Sequence, residues 1–328
     1  MKAHQGLIRA WIGSGQLPLS LTAAALFVSG AFALFLASRR EFLPHDVAFL
    51  GMTAEQLCAV ADCRVVGFMF HDRVAFGGTL MAVAVLYQWL ALFPLNAGER
   101  WAWWALVVSG LLGFGSFLAY LGYGYLDHWH AAATLVLLPV FVVGLIASWP
   151  GATVSSLPWC RVSRTKCVPW QLLAGRIGLL VTGFGIVAAG TVILYLGSTE
   201  VFVPQDLGFM GVSRQTLDEV NQRLVPLIAH DRAGFGGGLA TVGVLLLVSC
   251  WYAPPTRAFH QTMFIAGASG FGCAIGTHFV EGYTNPLHLA PAIAGALLFL
   301  ASITLEVVGW RHSTTSRSVS ASHMRESV

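Results

Sequence analysis

The chain has 328 residues, 56% of them hydrophobic and only 10% charged, with a formal net charge of +3 and a mean hydropathy of +0.71. A soluble domain carries about 25% charged residues, so a soluble fold is excluded, and the small net charge gives no footing for a nucleic-acid partner. The expected class is an all-α, multi-pass membrane protein whose first partner is the lipid bilayer.

Eight apolar segments follow in chain order, near Leu19–Ser38, Val74–Leu95, Trp101–Leu121, Trp129–Ser148, Leu172–Leu196, Phe235–Trp251, Phe264–Phe279 and Leu287–Val307. About 20 apolar residues suffice for a helical crossing. The seventh is short and rich in glycine. The runs are too long, and alternate too little, for barrel strands. Lys2 and Arg9 before the first segment, and Ala31-Phe32-Ala33 within it, have the look of a signal peptide. Its counterpart at Leu172–Leu196 is an ordinary span, so retention is expected.

Basic residues cluster at the N-terminus, in the 149–169 loop and in the tail after Arg311, whereas the opposite loops hold most of the acids. The positive-inside rule then predicts a cell (inner) membrane protein with both termini cytoplasmic and the loops 39–72 and 198–231 facing outward.

The chain repeats itself. His71-Asp72-Arg73-Val74-Ala75-Phe76-Gly77-Gly78 returns as His230-Asp231-Arg232-Ala233-Gly234-Phe235-Gly236-Gly237. Phe42-Leu43-Pro44-His45-Asp46 returns as Phe202-Val203-Pro204-Gln205-Asp206, and Gly124-Tyr125 as Gly282-Tyr283. Residues 1–150 and 172–310 are therefore expected to form two four-helix bundles in parallel orientation, joined by a basic cytoplasmic linker at 151–171. The serine-rich tail 311–328 is expected to be disordered.

In the outer loops, Thr53 with Gln56 reads as a capping box, and Ser213 occupies the matching place. Cys58 and Cys63 share the first outer loop. Facing an oxidising compartment, they either bond locally or stay as two thiols. Cys160 and Cys167 give a weak metal signal, and Cys250 and Cys273 read as packing residues.

The histidines suggest chemistry. His71, His130, His230 and His288 each begin an even-numbered span at the outer boundary. In an up-down bundle the second and fourth helices stand diagonally opposite, roughly 12–14 Å apart. That gap suits two imidazoles clasping a flat haem, with Arg73 and Arg232 near its carboxylates. Asp72 and Asp231 are expected to be structural, sitting in a first helical turn where an acid favours the helix. The plainer alternatives are glycines that only let helices approach, arginines that snorkel to headgroups, and solvated boundary histidines.

This pattern resembles heme A synthase: two four-helix halves, histidines on helices two, four, six and eight, and a cysteine pair in the first outer loop. The resemblance implies haem ligation by His71, His130, His230 and His288, with Cys58 and Cys63 as the paired cysteines. Phe68 and Leu227 stand where that family has a glutamate before its histidine. The function expected on this reading is haem modification or electron transfer to quinone or from a dehydrogenase partner. Two others compete. Asp72, Arg73, Asp231 and Arg232 could serve as gating charges of a transporter, and His45, His71, Asp72, His128 and His130 could hold a non-haem metal in a membrane oxidase.

Overall fold

Among the described residues, seven helices are long and apolar enough to cross a membrane, and no strand occurs. The computed structural model describes residues 15–60, 63–125, 128–149 and 168–326, without the side chains of residues 60, 120, 128, 130 and 314–326. Part of the basic linker therefore lies outside the described residues.

The first half holds α1 (Gln16–Ser38), α2 (Pro44–Leu50), α3 (Ala54–Val60), α4 (Cys63–Leu92), α5 (Arg100–Phe117), α6 (His128–Ala132) and α7 (Leu138–Ala147). The second holds α8 (Trp170–Ser198), α9 (Pro204–Met210), α10 (Arg214–Val220), α11 (Leu224–Tyr252), α12 (Arg257–Glu281) and α13 (Pro286–Glu326). The fourth apolar segment is interrupted by a π-helical turn at Ala133–Leu137, and its apolar stretch, Ala133–Ala147, is shorter than the other spans. The α13 backbone stays helical to Glu326, past Arg311, where composition predicts disorder.

Two expected boundaries move. The helices carrying the repeated His-Asp-Arg triplets start well before them, so Asp72 is the tenth residue of α4 and Asp231 the eighth of α11. Neither lies in a first turn, and the helix-dipole argument does not apply to them. The loop expected over 39–72 contains α2, α3 and the first turns of α4, and that over 198–231 contains α9, α10 and the first turns of α11. Pro44 and Pro204 open α2 and α9, where a missing N–H costs nothing, and Gly51 and Gly211 close them in left-handed geometry. Thr53 and Gln56 cap each other's backbone N–H groups, and Ser213 accepts from Thr216. A disulfide joins Cys58 to Cys63.

α4 and α11 form the buried centre, and the halves interleave around them. α4 packs on α1 of its own half and on α12 of the other; α11 packs on α8 and reaches across to α5. Two separate bundles, expected from the repeat, would not bring α4 against α12. Glycines let the close pairs touch. A Cβ built on Gly236 would lie 2.2 Å from the Leu194 nitrogen, and one on Gly30 would lie 2.4 Å from the Gly77 carbonyl oxygen. At the far end of the bundle, Arg176 donates to the Cys250 and Ala253 carbonyls at the end of α11 and pairs with buried Glu306. The guanidinium satisfies carbonyls that the helix end leaves without partners.

Candidate metal centre

The two triplets are held by reciprocal ion pairs between the central helices. Arg232 on α11 pairs with Asp72 on α4 at 3.2 Å and with Asp206 on α9 at 2.5 Å. Arg73 on α4 pairs with Asp231 on α11 at 2.9 Å and with Asp46 on α2 at 2.5 Å. The arginines, expected at headgroups or haem carboxylates, are only 8% and 6% exposed, and both pair with these acids. Burial of such charges is tolerable because each guanidinium meets two carboxylates.

Asp46 and Asp206 also accept from the backbone N–H groups of Leu43 and Val203, which holds α2 and α9 against the pair. Tyr125 donates to Asp46, and Tyr283 donates to Asp206 at 2.7 Å. Burial pushes both phenols well above the usual tyrosine range, and the adjacent aspartates push the same way.

Among the described side chains, His230 packs against the rings of Phe117 and Tyr125. His71 meets two histidines of the second half. Its Nε2 lies 3.0 Å from Nε2 of His278 on α12, and one ligating nitrogen from each of His71, His278 and His288 lies within 4.8 Å of the others. The aligned first-half position of His278 falls at Tyr120 or Leu121. The partner expected for His71 was His130, whose side chain lies outside the described residues, as does that of His128. His45 sits beside Asp46 and Tyr125 rather than beside His71.

Hydrogen-bond partners fix the tautomers. His278 Nδ1 faces the Tyr283 carbonyl at 2.8 Å, so it must donate. His71 Nδ1 faces an Asp72 oxygen at 3.0 Å and donates likewise. Tyr283 gives its hydroxyl proton to Asp206, so its oxygen accepts from His288 Nδ1 at 3.3 Å. With Nδ1 engaged, each ring turns its Nε2 toward the others. The His71 and His278 Nε2 atoms, 3.0 Å apart, need a cation between or beside them, either a proton that makes one of them a donor or a metal ion. Anchoring the far nitrogen to a carboxylate or carbonyl is how metal-binding histidines are oriented.

An ion fits this arrangement. Tetrahedral bonds of about 2.0–2.1 Å place neighbouring nitrogens about 3.4 Å apart, within the observed spread. A haem clasped between His71 and His278 does not fit. Its axial nitrogens would stand about 4 Å apart with a macrocycle between them, whereas these two are in direct contact.

Below the histidines lies a cavity of about 510 Å³, bordered by His71, His278 and His288 at one end and by apolar side chains of α4, α8, α11, α12 and α13 elsewhere. The corresponding cavity of the first half measures about 160 Å³. Phe117, Leu137 and Tyr87 line the small cavity where Ala274, Gly295 and Leu246 line the large one. No family model, curated protein or solved structure matches the chain.

Proposed function

We propose that this chain is a multi-pass membrane metalloprotein of the oxidoreductase class, in which His71, His278 and His288 hold one transition-metal ion. The observation that carries the reading is the convergence of His71, His278 and His288, one ligating nitrogen of each within 4.8 Å of the others, on imidazoles whose Nδ1 atoms are already engaged. Imidazole sets suit copper, iron, zinc and nickel. Three protein ligands leave a coordination position open, as catalytic sites do and closed structural sites do not. The adjoining cavity gives that position something to face.

The same reading takes the interrupted α6–α7 segment as an eighth crossing, the two halves as parallel repeats, and both termini as cytoplasmic, following the excess of Lys and Arg. The larger cavity of the second half favours the site there.

Metal analysis of protein purified without chelators tests the proposal. About one ion per chain is expected in the wild type, with loss in His71→Ala and His278→Ala and retention in His260→Ala. Copper or iron supports the oxidoreductase class, and zinc alone redirects it to Lewis-acid chemistry. A metal-free wild type, or a Soret band lost with the histidines, overturns the ion site.

A further inference from the structure

The cavity beside the histidines has no role in holding an ion. It is apolar almost throughout, and no charged residue lines it among the described residues. Its two threonines do not add polarity, because Thr79 donates to the Ala75 carbonyl and Thr182 to the Gly178 carbonyl of their own helices. A ligand that fills it must therefore be uncharged, apolar along most of its length and polar only where it meets His71, His278 and His288.

The histidines also select the kind of polar end. Their Nδ1 atoms are spent on Asp72, on the Tyr283 carbonyl and on the Tyr283 hydroxyl. What they turn to a ligand is lone pairs, or a metal held by them. On neutral rings without a metal, a carbonyl oxygen alone would find no donor there. A hydroxyl can donate to an imidazole, and its oxygen can ligate a metal.

Access is lateral. Val181, Gly185 and Ala189 on α8 and Ala294 and Leu298 on α13 both line the cavity and are exposed on the helix surface. A Cβ on Gly185 would meet nothing within 4 Å, so the wall there is thin. In a bilayer such an opening faces lipid, and the entrant is a molecule dissolved in the membrane. The first half lacks the room because Phe117 stands where the second half has Ala274.

We propose that the second-half cavity binds a neutral, lipid-soluble ring compound bearing a hydroxyl, of the phenol or quinol class, with the hydroxyl at His71, His278 and His288 and the tail between α8, α12 and α13. This deepens the metal-site reading and rests on it only for the role of the bound molecule.

The test uses full-length protein in lipid nanodiscs and a diazirine-bearing decylphenol, with labelled peptides mapped by mass spectrometry. Labelling is expected on α8, α12 and α13, and excess decylubiquinol should reduce it at least tenfold while decylbenzene does not. Ala274→Phe, which installs the first-half residue, should abolish the competed labelling with metal content unchanged. Should that variant fail to fold, Gly270→Leu serves: its Cβ would be 3.9 Å from that of Ala82, an ordinary contact. Labelling that decylubiquinol does not displace, that decylbenzene displaces equally, or that persists in the folded variants overturns this inference. Competed labelling in a protein without metal would instead sink the metal reading and leave the cavity assignment standing.

Discussion

Arg232→Gln probes the ion-pair lattice that positions the site. In the wild type this guanidinium meets Asp72 at 3.2 Å, Asp206 at 2.5 Å and the Val201 carbonyl at 2.6 Å. Its removal leaves two carboxylates that are 1% and 0% exposed without their cation. Breaking a buried pair from one side costs about 3–5 kcal/mol, because the remaining charge is uncompensated. Asp206 retains the Tyr283 hydroxyl and the Val203 N–H, and Asp72 retains His71, which holds the loss near the middle of that range. A loss of about 4 kcal/mol is a large share of the roughly 5–15 kcal/mol that keeps a domain folded. The assay is reversible unfolding in lipid or detergent of the wild type, Arg232→Gln, Asp206→Asn and the double variant. The double variant should recover at least about 2 kcal/mol relative to the sum of the singles, since residues that share a charge network are strongly coupled. Additivity within about 0.5 kcal/mol would refute the claim that these buried charges hold this end of the bundle together.

Three further outcomes follow from the same geometry. Cys58→Ser should lower stability by about 2 kcal/mol, the chain-entropy value for so short a loop, and mass shifts on alkylation before and after reduction check that the bond is present. Gly236→Ala should cost about 1–3 kcal/mol by forcing α8 from α11, whereas Gly185→Ala, with open space around its Cβ, should stay within about 0.5 kcal/mol of the wild type; thermal melts separate the two. The Tyr283 phenol is pushed up by burial, so its stabilising effect is fully present below the unfolded pKa of about 10 and is lost as pH rises above that. Unfolding midpoints from pH 8 to 11 should therefore fall less steeply in Tyr283→Phe than in the wild type, and equal slopes would count against a neutral phenol in the folded state.

Much of this arrangement is written in the sequence as symmetry. The repeated Pro-x-Asp, Gly-Tyr and His-Asp-Arg elements supply Asp46 and Asp206, Tyr125 and Tyr283, and both halves of the reciprocal ion pairs. Hydropathy marks the long helices but misplaces the start of α4. A window that meets His71, Asp72 and Arg73 stops there, because it cannot see that Asp231 and Asp46, far away in sequence, neutralise Arg73. With those charges cancelled, Val65, Val66, Phe68, Met69 and Phe70 extend the helix back to Cys63. The interleaving of α4 with α12 follows from these contacts across the halves and has no local signature. His278 was illegible for the opposite reason. It breaks the symmetry, and attention to matched positions passes over it, although it lies ten residues before His288 and five before Tyr283, the residue that anchors both.

The central claim is that three imidazoles share one ion, and X-ray absorption at the edge of whichever metal copurifies addresses it most directly. The account predicts three imidazole nitrogens at about 2.0–2.1 Å, with the outer-shell scattering of histidine rings and a first shell that shrinks in His278→Ala. A shell built of four pyrrole nitrogens with axial imidazoles, or a metal signal indifferent to His71, His278 and His288, would contradict it.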